Sequence, residues 1–310
     1  MPLKQFIFDR YTEYHDWAWA GGFSYCHSDG IIVRTMKTYI QGLDPALTFV
    51  LTMADGYSSN PDQSIALKSP DEFERCIPEN NTIVGILCTR AFADPRAVLM
   101  PLDDETFTRG ACDVVLSRAA LPAWEERKPI AFWRGCLSGG VAPTPRTRTV
   151  WELYDFPHAD AKLTRDQCMD HAHMGRLVYP QDTRFYDESR GLDVHVQHKY
   201  ILILDGNCIA SAQQWVFASG SVPLMITHPD NDWWFRKYLK PMVHYVPIQY
   251  DLSDLKEKIE WLVMNDDKAK EIATNAMEFA RTVLSAEFQH GYLFREIQRA
   301  ASVYANSPAR

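Results

Sequence analysis

No run of about 18 apolar residues occurs in this chain, so no segment reads as a helix able to cross a bilayer. The seven cysteines form no CxxC pair and their number is odd. That counts against a disulfide framework and against a structural zinc site. Positive charge is in deficit, with 32 Lys and Arg against 40 Asp and Glu and a net charge of −8. A broad nucleic-acid-binding surface is therefore not expected. The opening residues, Met1 to Arg10, lack the apolar core and small-residue cleavage site of a secretory signal. The last residues carry no retrieval signal, so the expected setting is the reducing cytoplasm. There is no internal repeat, low-complexity tract or long linker, and no GxGxxG follows an early strand. The last absence argues against a nicotinamide-dependent oxidoreductase.

What is present reads as an α/β protein. A chain of 310 residues exceeds one typical core, and two domains of roughly 100–200 residues are expected. The first, 1–125, holds apolar runs bounded by Pro, Gly or Asp at Leu47–Met53, Ile83–Cys88 and Val98–Leu102, as buried parallel strands do. Leu121–Pro129, with two prolines and four charges, reads as the crossing into a second lobe, 126–285, which opens on the strand Ile130–Arg134. The clearest strand–helix–strand unit is Tyr200–Leu204, Ser211–Ser219 and Val222–Ile226, with Gly220 as the helix stop. Two amphipathic helices follow. Ser253 is the expected cap of the first and Asp266 or Asp267 of the second. The C-terminal stretch 286–310 is helical in period and is expected to pack back on the first lobe.

An ordered series of motifs then stands out: Phe132-Trp133-Arg134-Gly135, His198-Lys199-Tyr200, Asp205-Gly206-Asn207, Ala218-Ser219-Gly220-Ser221-Val222, Trp234-Phe235, Leu239-Lys240-Pro241, Val243-His244-Tyr245-Val246-Pro247 and Asp251-Leu252-Ser253-Asp254-Leu255. The series resembles glycosyltransferase family 90, which includes the Rumi-type protein O-glucosyltransferases, the fungal CAP10 proteins and some xylosyltransferases. The resemblance covers residues 20 to 300 and is densest from 130 to 265. It implies a GT-B fold, two Rossmann-like lobes facing across a cleft. The first would take the acceptor and the second the nucleotide sugar. It further implies an inverting, metal-independent transferase that uses UDP-xylose or UDP-glucose. The expected partners are that donor and a glycan acceptor, with no cofactor and no nucleic acid.

The resemblance places the general base at Asp55, at the end of the run FVLTMAD; read alone, Asp55 is a turn residue before Gly56. Arg134 falls at the donor site, where a forked guanidinium suits a diphosphate and Gly135 lets the chain turn; the alternative is an inter-lobe salt bridge. Arg146 and Arg148 follow the loop SGGVAPTPR and are either donor contacts or a solvated pair. Lys199 is a secondary candidate or a structural lysine. Asp205, Gly206 and Asn207 form the loop before a helix whose N-terminus would favour a diphosphate, with Ser211 as cap or contact. Here the chain departs from the family. Many members carry an Arg in this helix, in a pattern like S-x-R-F, whereas the aligned position is Ala212, followed by Gln213 and Gln214. This departure favours a second reading, a non-catalytic nucleotide-sugar- or glycan-binding protein. His171 with His173, and His195 with His198, are spaced poorly for a metal, and Asp103-Asp104-Glu105 reads as loop charge. Trp17, Trp19, Tyr25 and Tyr57 are either sugar-stacking or core aromatics.

Overall fold

The computed structural model describes residues 30–43, 47–52, 82–86, 89–90, 94–137, 144–164, 183–206, 209–229 and 231–305. In chain order the elements begin with α1 (Ile31–Leu43), β1 (Thr48–Thr52), β2 (Thr82–Ile86), β3 (Thr89–Arg90), β4 (Ala97–Leu99) and α2 (Asp104–Arg109). They continue with α3 (Ala111–Arg118), β5 (Lys128–Gly135), α4 (Pro145–Leu153), β6 (Ala159–Thr164), β7 (Tyr186–Asp187), α5 (Leu192–His195) and β8 (His198–Leu204). The remainder is α6 (Gln213–Phe217), β9 (Val222–Ile226), β10 (Asn231–Asp232), β11 (Val246–Pro247), α7 (Leu255–Met264), α8 (Asp266–Thr282) and α9 (Ala286–Ala305). The chain forms two compact units, one of residues 1–109, 230–236 and 286–310, the other of residues 110–229 and 237–285. The division at Arg109 lies upstream of the crossing expected near residue 125. The reason is packing: α3 lies against α6 and α8, and Arg127 donates to the carbonyls of Pro122 and Ser219 and to Ser221 Oγ.

In the first unit β1, β2 and β4 form a parallel sheet, in that order, and β3 pairs antiparallel with β10. Helix α1 buries Ile32, Val33, Met36 and Ile40, a stripe of helical period. Its N-terminus is capped from a distance, since Asp104 accepts from the N–H groups of Ile31 and Ile32 at 3.0 and 2.9 Å. Asp103 in turn accepts from Thr106 N at 2.7 Å and starts α2. Asp103 and Asp104 are thus capping residues rather than loop charge, while Glu105 accepts from Arg109 within α2. Helix α9 is tied to the same unit through Gln289 to Thr106 O, Tyr292 OH to Leu99 O, and Arg299 to the carbonyls of Pro95 and Ala97.

The second unit is built on a six-stranded sheet in the order β11-β9-β8-β5-β6-β7, with every pair parallel. Numbered along the chain this is the 3-2-1-4-5-6 order of a Rossmann fold. Both faces are covered, which is why β8 and β9 are buried along their whole length. On one face Ala131, Trp133, Leu202, Leu204, Leu224 and Ile226 pack on Val150 and Leu153 of α4 and on Ile259, Leu262, Ile272 and Ala273 of α7 and α8.

Three helix starts differ from expectation. Asp254, not Ser253, stands at the cap of α7, because Ser253 is turned onto Asp251. Asn265 precedes α8, because Asp266 is engaged by Lys199 and the Trp124 indole. Helix α6 has five residues rather than the nine expected, and Ala212 caps it without a side-chain bond.

Candidate functional site

In an open parallel sheet, ligands bind outside the carboxyl ends of the strands, where the strand order reverses. That point here lies between β5 and β8. After it the chain runs outward through β6 and β7 on one side and β9 and β11 on the other. Arg146 spans it. Its Nη1 donates to Cys136 O at 2.9 Å, just past β5, and lies 3.4 Å from Cys136 Sγ; its Nη2 donates to Leu204 O at 3.3 Å, the end of β8. Among the described residues, the Nε of Arg146 is buried without a partner. An orphaned guanidinium N–H at this edge is a donor awaiting an acceptor. The Trp133 ring lies beneath, 5.7 Å from the guanidinium carbon. Gly135 leaves room for that ring, since a Cβ there would stand 2.5 Å from Trp133 Cζ2. Close packing, not a sharp turn, is what requires this glycine.

Arg146 is held by the start of α4, where Thr144 accepts from Thr147 N and Pro145 occupies the first turn. Two residues on, Arg148 donates to Tyr250 O at 3.0 Å and lies 5.6 Å from the centre of the Tyr250 ring. Asp205, immediately after β8, accepts from Thr227 Oγ1 and His228 N at 2.7 and 2.8 Å. His228 meets the Tyr250 ring edge to face at 5.0 Å. The edge therefore gathers Cys136, Arg146, Arg148, Asp205, Gly206, Thr227, His228 and Tyr250. Cys136, Thr227, His228 and Tyr250 are not among the candidates read from the sequence. For the last three the signal was the polar residues that end the apolar runs VPLMI and VPI.

Other candidates stand elsewhere. Arg134 points to the opposite face of β5 from Trp133 and has partners for all five N–H groups. Nε goes to Asp187, Nη1 to the carbonyls of Trp133 and Asp160, and Nη2 to both carboxylates. It clamps β5, β6 and β7 together within one unit. Burial alone would raise the Asp187 carboxyl, but bonds from Glu188 N, Arg190 and Arg134 hold it at about 2. Lys199 is the second residue of β8, five residues and about 17 Å along the strand from the carboxyl edge. There it pairs with Asp266 at 2.6 Å and lies over Trp124. Ser211 is exposed and caps nothing, and a five-residue helix carries little dipole. Counted from Ser211, the arginine of an S-x-R pattern falls on Gln213, one residue past Ala212. His195 and His198 bond the carbonyls of Gly191 and Val194 and pack on Phe132, as core histidines. Asp55, Asn207, His171, His173, Trp17, Trp19, Tyr25 and Tyr57 lie outside the described residues.

Comparison with known proteins adds to this geometry. Protein O-glucosyltransferase 2 of Danio rerio is 29% identical over 230 residues, which cover 69% of this chain and 42% of that protein. The uncharacterized protein 179R of Invertebrate iridescent virus 6 is 41% identical over 190 residues, 53% of this chain and 16% of that protein. This chain thus spans less than half the length of either relative. A solved glycosyltransferase from Rickettsia africae aligns over 91% of this chain and 84% of its own, at 11% identity and a TM-score of 0.46. Glycosyl transferase family 90 matches residues 111–310, well over half of the sequence and nearly the whole of the six-stranded unit, and the chain belongs to that family.

Proposed function

We propose that this chain is an inverting glycosyltransferase of GT-B type that takes a UDP-sugar at the β5/β8 edge and passes the sugar to an acceptor hydroxyl. The observation that carries this reading is Arg146, a cation across the switch point whose buried Nε has no partner among the described residues. Arg146 and Arg148, with the N-terminus of α4, meet the diphosphate, where negative charge develops as the donor bond breaks. Asp205 fixes Thr227 and His228 at this edge. Arg134 and Lys199 support the sheet instead of touching the donor. Asp55 takes the proton from the acceptor hydroxyl. That oxygen then attacks the anomeric carbon from the face opposite UDP, which leaves with the bonding electrons. The reading requires no metal.

Of the two sugars the resemblance implies, xylose is the one favoured here and glucose the next, whereas the printed name of the Danio rerio relative favours glucose. That name also sets a protein hydroxyl beside the expected glycan as acceptor. No described helix is long and apolar enough to cross a membrane; the cytoplasmic setting remains part of the proposal. The binding-only reading draws on the neutral Gln213 in place of an arginine. Slow release of free sugar from UDP-glucose or UDP-xylose, abolished by Asp55→Asn, excludes it.

The test of the donor site compares two arginines by UDP calorimetry. Arg146→Met is expected to weaken UDP binding by about 1.5–3 kcal/mol, the worth of a charged hydrogen bond. Arg134→Met is expected to bind UDP normally while folded, but to melt earlier because two carboxylates lose their partner. The reverse pattern would return the donor to Arg134.

A further inference from the structure

Two consecutive side chains at the start of α6 are buried with nothing to bond among the described residues. Gln213 has no exposed surface, and neither its amide nitrogen nor its oxygen has a partner. Gln214 is 2% exposed, and its Oε1 is likewise unpartnered. Both open α6, which packs on β8 and β9, directly after the loop that leaves the sheet at Leu204. Buried carboxamides of this kind weaken the empty fold and are kept where a ligand or water meets them. The three orphaned atoms comprise one donor and two acceptors. Diphosphate oxygens only accept, so they leave both carbonyl oxygens unmet. A uracil edge offers one N–H between carbonyls and leaves the Gln214 oxygen unmet. Neighbouring hydroxyls both donate and accept, and a pair of them satisfies all three atoms.

We propose that Gln213 and Gln214 recognise vicinal hydroxyls of the sugar nucleotide, either those of the ribose or those of the transferred sugar. The inference rests on the UDP-sugar reading and adds the residues that choose the sugar. In place of a cation for phosphate, the chain has a neutral pair for a diol.

The experiment measures calorimetric binding of UDP, 2′-deoxy-UDP and UDP-glucose to the whole chain, to Gln213→Met and to Gln214→Met, with melting temperatures of the empty proteins. Methionine keeps length and volume and removes the polar atoms. The variants are expected to melt at or above the wild-type temperature and to bind about tenfold more weakly, a loss of one hydrogen-bonding side chain. If the ribose is the ligand, affinity for UDP falls and its advantage over 2′-deoxy-UDP disappears. If the transferred sugar is the ligand, only UDP-glucose weakens. Unchanged affinities for all three in both variants overturn the inference alone. A wild-type chain that binds none of the three overturns the donor site with it.

Discussion

His195 is 6% exposed. Its Nδ1–H donates to Gly191 O at 2.9 Å, and its ring meets Phe132 and Trp215 edge to face. Burial pushes its pKa down to about 4 from 6.5. Between those values the unfolded chain holds the extra proton, so stability is full above 6.5 and falls as pH drops towards 4. The loss attributable to this one group is on the order of 2–3 kcal/mol. Urea titrations from pH 7 to 4 are expected to show a shallower acid loss in His195→Gln than in the wild type; parallel curves would refute the assignment. Asp103 acts with the opposite sign. Burial raises its carboxyl to about 6 from 3.8, and Oδ2 is buried without a partner among the described residues. Its favourable contribution is complete below 3.8 and lost as pH rises through about 6. Asparagine keeps the cap to Thr106 N without the charge. Asp103→Asn is therefore expected to gain roughly 1–3 kcal/mol at pH 7.5 and nothing at pH 3.5. Equal effects at both pH values would mean that capping, not ionisation, governs the site. Neither role was legible in the chain, because a histidine or aspartate takes its protonation from neighbours that arrive from distant sequence.

Among the elements, the turn into β9 shows how much a strand start depends on one distant side chain. Gly220 has φ +74, and a Cβ there would stand 2.8 Å from Arg127 Nη2. Arg127 is held by the carbonyls of Pro122 and Ser219 and by Ser221 Oγ, and burial lowers its pKa to about 10. Gly220→Ala meets both a left-handed backbone and a fixed guanidinium, for an expected loss of about 2–4 kcal/mol. Chemical denaturation would measure it; a loss below about 0.5 kcal/mol, the scale of an ordinary surface change, would mean that the turn relaxes. The sequence located Gly220 but assigned it to a helix end, when the helix stops at Phe217 and the glycine serves the turn. The expected cap of α8 failed for a related reason. Asp266 had a better partner in Lys199, which no local pattern announces. The interiors of the same helices were legible, with Leu255, Ile259 and Leu262, then Ala269, Ile272, Ala273 and Ala276, all buried at helical spacing.

For the molecule as a whole, the proposed transfer turns on Asp55 as the general base. Asp55→Asn keeps shape and removes the basic oxygen, so turnover is expected to fall roughly 10²–10⁴-fold with UDP affinity unchanged. The product of a UDP-α-sugar should be β-linked, as NMR of the glycosidic bond would show, and activity should persist in excess EDTA. An α-linked product, or loss in EDTA restored by manganese, would require a different mechanism.

The sequence by itself determined the α/β class and the six most apolar strands, because burial on both faces demands unbroken apolar runs that local reading detects. It also located Arg146 and Arg148 at the loop after β5. It passed over β6, since ADAKLT carries no apolar run and is a strand by virtue of pairing with β5. Only the tertiary structure decided which arginine faces the edge and which clamps the sheet. Arg134 and Arg146 are equally charged and only twelve positions apart. What separates them is the pleat, which turns Arg134 away from Trp133 towards Asp160 and Asp187, and the return of α4, which lays Arg146 across the ends of β5 and β8.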